Sequence, residues 1–127
     1  MSNITPQNSN LNRGSWNDLE KSERKLLNKF NEVFVLVGVY FNNEEVCYWD
    51  KTPRIKYKIP NGYFKIIMWP VKERIIIASF IFPQNTKIKD SYCKYKSSIE
   101  DIENLTSIDF SIDKNKINYS YGYLGCN

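Results

Sequence analysis

Asn12, Trp16, Glu20 and Arg24 stand four residues apart in the stretch "NRGSWNDLEKSER". On a helix that includes Asn12, this spacing sets an amide, a carboxylate and a guanidinium in one slowly drifting row on one side. A neutral amide oxygen suits Mg2+, which keeps most of its water and needs only one or two protein ligands. A carboxylate one or two turns further on could hold that water without touching the ion. The plain alternative is a helix-start residue followed by an ordinary exposed Glu20–Arg24 ion pair at i,i+4. The 127 residues contain no histidine, so no side chain titrates near neutrality without help, as a general base should.

A row of this kind needs a helix beneath it, and the flanking sequence predicts one. The chain is polar up to about Ser15, with Pro6 and Gly14 as breakers, which reads as a loop feeding a helix. Trp16, Leu19, Leu26, Leu27 and Phe30 then recur at helical spacing. Ser15 with Asp18 has the form of a capping box; an earlier start capped by Asn10 would instead put Asn12 on the first turn.

"VFVLVGVYF" (33–41) is β-branched, aromatic and almost continuously apolar, which predicts a central strand covered on both faces. "IKYKI" alternates as an edge strand would, and Pro60, Asn61 and Gly62 supply a turn. "YFKIIMW" and "RIIIASFIF" are two further strands, joined through Pro70 to Glu73. Beyond the loop carrying Cys93, Ser97 or Ser98 can cap a short helix whose apolar stripe is Ile99, Ile102 and Leu105. The tyrosine-rich tail "NYSYGYLGCN" has no strong period, and no internal repeat is present.

Size and composition bound what these elements can build. The length suits one domain, residues 1–127, with its own core. With 42% hydrophobic and 15% aromatic residues, the chain lies well above the disordered range. Eighteen Lys and Arg against 14 Asp and Glu give +4, a mild bias towards polyanions that names no partner. No apolar run approaches the ~20 residues that cross a bilayer, so no membrane is expected as a partner. Cys47, Cys93 and Cys126 lack both the close spacing and the histidines of a zinc site, and Cys47 reads as a plain apolar or half-buried thiol.

The stretch "SNITPQNSNLNRGSWNDLEKSERKL" resembles the metal-binding segment of the DNA/RNA non-specific endonucleases, the Serratia nuclease-like family of ββα-metal type. The shared form is N-I-x-P-Q, then N-x-x-x-W-x-x-L-E and a following Arg. The likeness continues through "IPNGYFKII", "SSIEDIENLTSIDF" and "LGCN", and so covers essentially the whole chain. It implies an α+β fold, the C-terminal half of a ββα-metal nuclease: an antiparallel sheet of about four strands, a long metal-site helix and a short second helix.

The resemblance also implies roles. Asn12 is then the protein ligand of Mg2+, with Mn2+ a possible substitute; Glu20 orients the ion's water, and Asn3 and Arg24 support the site or its phosphate. Cys93 and Cys126 form a disulfide, which closes a loop worth about 3–4 kcal/mol in the chain-entropy account. The substrate is the DNA or RNA backbone, and tolerance of both follows if contacts go to phosphates rather than bases. The chain departs from the family where relatives read Thr-Gly-Pro and it has Val37-Gly38-Val39.

The family's general base is a histidine in an Asp-Arg-Gly-His motif upstream of the segment that begins here. The expectation is therefore a truncated reading frame or split gene, with Met1 an internal methionine promoted to a start, and little or no activity from the chain alone. The missing N-terminal half, or a second copy in a homodimer, would cover an apolar sheet edge. The cysteine pair implies a secreted or periplasmic full-length protein, with no export signal in this chain. A different class of function is a non-catalytic nucleic-acid binder or regulatory remnant that holds strands on lysines, arginines and aromatic rings. A decayed gene product with no role is the third.

Overall fold

The computed structural model describes residues 11–41, 47–48, 58–87 and 89–126, with the backbone alone described at 47–48 and 58–59. A wide π-type turn, Asn12–Trp16, leads without a break into helix α1, Asn17–Phe30. Asn31 ends α1 in the left-handed region (φ 65°), its N–H donating to the Leu27 carbonyl at 2.8 Å. An asparagine tolerates that conformation better than most residues. Strand β1 is Phe34–Tyr40, β2 Cys47–Tyr48, β3 Lys58–Ile59, β4 Gly62–Val71 and β5 Arg74–Pro83. A 3₁₀ turn, Tyr92–Tyr95, precedes β6, Lys96–Ser97; helix α2, Ile99–Thr106, a 3₁₀ turn, Lys114–Lys116, strand β7, Asn118–Tyr119, and a last 3₁₀ turn, Gly122–Leu124, follow.

Three strands make the body of the sheet. β4 pairs antiparallel with β1 along Phe34↔Met68 to Tyr40↔Gly62, and with β5 along Gly62↔Pro83 to Val71↔Arg74. Beyond β5, the short β6 pairs antiparallel and β7 parallel, which makes the five-stranded sheet mixed. Of "IKYKI", Lys58 and Ile59 lie among the described residues and pair with β2 in a separate two-stranded ribbon. The β4–β5 turn is tighter than the sequence suggested, at Lys72 and Glu73 with Lys72 at φ 59°.

Alternation along β4 and β5 divides the core in two, because successive side chains leave opposite faces. Tyr63, Ile67, Trp69, Ala78, Phe80 and Phe82 pack with Trp16, Leu19 and Leu26 under α1. Phe64, Ile66 and Ile77 pack on the other face with Ile99 and Ile102 of α2. Ser98 caps α2 in a full capping box with Asp101, but Leu105 lies exposed, outside the buried stripe. Leu105 falls in the last turn of α2, which ends at Thr106.

β1 differs from the expectation of a central strand covered on both faces. Among the described residues it is the outer member of the sheet, with Phe34 (53% exposed) and Leu36 on the α2 face, and Val35 (43%) and Val37 on the α1 face, all exposed. Continuous apolarity records that a strand is meant to be covered; it does not say by which chain. Gly38 sits mid-strand with the Phe64 ring over it: a Cβ there would fall 2.3 Å from the ring. The Val37-Gly38-Val39 segment is thus continuous strand, with no turn.

Candidate active site

The site predicted from sequence lies at the head of α1. Asn12 is exposed on the first residue of the π-type turn, and Gly14 within that turn leaves helical geometry (φ −97°, ψ −111°). The row of four-residue steps is therefore broken between Asn12 and Trp16, and continues regularly from Trp16 to Glu20 and Arg24. Glu20 is half-buried and Arg24 exposed. Among the described residues these two form no salt bridge, so the plain reading of an i,i+4 surface pair does not apply to them. Asn3 lies outside the described residues.

Ser15 does not cap the helix. Its hydroxyl is buried and donates to the Asp90 carbonyl at 2.6 Å, tying the π-type turn to a loop 75 residues away. Asp90 is itself fixed: its carboxylate accepts from the Tyr95 hydroxyl at 2.5 Å and from the Lys87 N–H at 3.2 Å. The Tyr95 hydrogen bond leads the causes that hold the Asp90 carboxyl below the ordinary carboxylate range.

Trp16 is the second anchor. Its ring meets Tyr63 and Phe82 edge-on at 5.6 and 5.7 Å, and Lys65 Nζ lies 4.0 Å from its centroid. Lys65 is 2% exposed on the α1 face of β4 and donates to Glu23 Oε2 at 2.9 Å. Burial pushes the Glu23 carboxyl above its ordinary value; Lys65 opposes that shift, and neighbouring Glu20 adds to it. Lys65 thus holds α1 at Trp16 and Glu23, on either side of Glu20. Sequence reasoning missed this pair, although a lone charge in the apolar run "YFKIIMW" was the available signal.

Cys93 and Cys126 are bonded, with Cα atoms 5.5 Å apart, as the resemblance implied. The Cys47 side chain lies outside what is described.

The donor set bears on the metal. Among the described residues no group of three His, Cys, Asp or Glu side chains comes together to enclose an ion. What the head of α1 offers is amides, at Asn12 and Asn17, and carboxylates, at Asp18 and Glu20. Such a set does not fit a thiolate- or imidazole-bound metal; it fits a hard, largely hydrated cation.

The chain belongs to the DNA/RNA non-specific endonuclease family, whose profile matches residues 1–116. It is similar to a nuclease of Serratia marcescens, 32% identical over 113 residues that make up 85% of this chain and 41% of that protein. It is also similar to the mitochondrial nuclease EXOG of Xenopus laevis, 28% identical over 132 aligned positions, 91% of this chain and 36% of the relative. With the mitochondrial endonuclease G of Bos taurus it shares 29% identity over 92 residues, 65% of this chain and 30% of the other. The chain spans less than half the length of each of these relatives. The α+β fold with one long and one short helix agrees with the architecture expected of the family.

Proposed function

We propose that the chain is the metal-holding portion of a Mg2+-dependent, sugar-non-specific endonuclease that hydrolyses phosphodiesters of DNA and RNA. The observation that carries this reading is the occurrence of Asn12, Glu20 and Arg24 along one π-turn–helix unit, held to the sheet through Trp16 and Glu23 and to the Asp90 loop through Ser15, in a chain of this family. Asn12 would offer its amide oxygen to the ion, and Glu20 would accept hydrogen bonds from the ion's water shell. When bound, such an ion neutralises charge on the phosphate and on the departing oxygen. Arg24, exposed one turn past Glu20, would hold a substrate phosphate, and Asn3 would support the site. Mn2+ would serve in place of Mg2+.

No residue of the chain takes the role of general base, since histidine is absent and Glu20 is committed to the ion's water. The base then comes from the portion of the family's domain outside this chain, and the chain alone has little or no activity. The open apolar edge at β1 supports an added strand, either from that upstream portion or from a second copy in a homodimer. The disulfide suits an oxidising setting, secreted or periplasmic. Among the described residues no helix is long and apolar enough to cross a membrane.

Mn2+ titration followed by electron paramagnetic resonance tests the metal reading directly. The wild type should deplete the free-ion signal, and Asn12→Ala should restore it. Equal Mn2+ binding by both proteins would overturn the assignment. Plasmid cleavage is the companion assay: robust, EDTA-sensitive nicking by this chain alone would refute the need for an external base.

A further inference from the structure

The tyrosine-rich tail is built with a geometry that the proposed chemistry does not use. Tyr119 and Tyr121 lie with planes 2° apart and centroids 6.4 Å apart. Both hydroxyls are fastened inward: Tyr119 accepts the Ile99 N–H at 2.8 Å, and Tyr121 donates to the Ser97 carbonyl at 2.7 Å. Yet Tyr119 is 42% exposed. Its hydroxyl is anchored to the α2 backbone and one face of its ring lies towards Tyr121, while the residue stays partly open to solvent.

Cations accompany the rings. Lys96 Nζ lies 5.5 Å from the Tyr121 centroid. Two residues along the tail, Tyr123 is 44% exposed, with Lys29 Nζ 5.3 Å from its centroid. Two open clefts follow this strip. One of about 430 Å3 is lined by Lys96, Ser97, Ser98, Asp101, Tyr119 and Tyr121. The other, of about 400 Å3, is lined by Lys29, Ser120, Gly122 and Tyr123. The Asp101 carboxylate in the first cleft is occupied in capping α2, accepting the Ser98 N–H at 3.1 Å. The tail is held to the body by the Cys93–Cys126 bond and by the Tyr92 hydroxyl, which donates to the Leu124 carbonyl.

We infer that this strip, Tyr119 and Tyr121 with Lys96 and Tyr123 with Lys29, is a binding site for single-stranded nucleic acid, separate from the metal site. Bases stack on the ring of Tyr119, and Lys29, exposed at the end of α1, meets a phosphate. Every base has a π-face, so stacking tolerates sequence, and an oriented aromatic beside cations is how non-specific single-strand grooves are made. A duplex hides its base faces and cannot use the rings. The lysines and the chain's +4 charge complement a polyanion. Lys29 stands at the far end of the π-turn–helix unit from Asn12, about 25 Å along the axis, so the strip would hold a strand remote from the point of cleavage. The inference rests on the nucleic-acid reading proposed above, but not on the metal.

Fluorescence anisotropy with a labelled oligothymidylate, in EDTA, tests it on the full chain. Tyr119→Leu should weaken binding roughly tenfold or more, Lys29→Gln should weaken it and lower its salt dependence, and Asn12→Ala should leave it unchanged. Lys29 is exposed at the end of α1, so Lys29→Gln decides the matter if Tyr119→Leu does not fold. Wild-type affinity in Lys29→Gln together with Tyr119→Leu, tighter binding of duplex than of single strand, or equal competition by polyglutamate would each overturn the site. Loss of Mn2+ binding in Asn12→Ala with oligonucleotide binding intact separates the two sites. Oligonucleotide binding without any Mn2+ binding would sink the metal reading and leave this one standing.

Discussion

Lys65, on the floor of the sheet, donates to Glu23 on the helix above it at 2.9 Å while its ammonium also rests against Trp16. Removal of the lysine leaves a largely buried carboxylate without its partner, a change that typically costs about 3–5 kcal/mol. Lys65→Met should lose stability of that order at neutral pH in urea denaturation. Glu23→Gln keeps an acceptor for Lys65 and should cost much less. Burial already raises the Glu23 carboxyl in the folded protein. Its contribution to stability is therefore full below the ordinary carboxylate range and is lost as pH rises through the raised value. The Lys65→Met deficit should accordingly shrink on acidification; a deficit that stays constant would refute the account.

Asp90 behaves with the opposite sign. Its carboxyl is held low, chiefly by the Tyr95 hydroxyl, so its contribution is present above the ordinary carboxylate range and disappears as pH falls through the lowered value. Asp90→Asn should be less stable than the wild type near neutrality, and the two melting curves should converge in acid. Because the Asp90 carbonyl receives the Ser15 hydroxyl, the same variant should weaken Mn2+ binding at Asn12 without touching it.

Gly38 has no room for a side chain, since the Phe64 ring occupies the place of its Cβ. Gly38→Ala should cost about 1–3 kcal/mol as an overpacked contact, measured by thermal unfolding. Phe64→Leu should lower that penalty in the double variant. Additive losses would show that the two positions do not compete for the same space.

The Cys93–Cys126 bond closes a separation of 33 residues. Replacement of both cysteines by serine should lower stability by about 3–4 kcal/mol in the chain-entropy account. Of the three cysteines in the sequence, Cys47 is the one outside this bond. Alkylation of the unfolded, unreduced chain should therefore add one label by mass spectrometry, and three labels after reduction. Three labels without reductant would exclude the bond.

Local signals carried much of this architecture. The spacing of Trp16, Leu19, Leu26 and Phe30 specified α1, the Ser98 capping box opened α2, and the apolar runs at 62–71 and 74–83 formed the expected hairpin. What stayed hidden depended on distant partners. The Ser15 hydroxyl had a cap-like neighbour in Asp18 but goes to Asp90 instead. Lys65 finds its acid 42 residues away. The exposure of β1 depends on what lies beside the strand, and no property of "VFVLVGVYF" encodes that. Even the row from Asn12 to Arg24 was legible only in outline, because a π-type turn cannot be read from α-helical spacing.

That turn makes the register of the N-terminal segment unusually sensitive to chain length. An α-helix rotates by about 100° per residue, so excising Gly14 would swing Asn12 a quarter-turn or more around the barrel of the helix while Trp16 stayed clasped by Lys65. Natural variants of this segment should tolerate exchanges of side chains more readily than a change in the number of residues between the amide and the tryptophan.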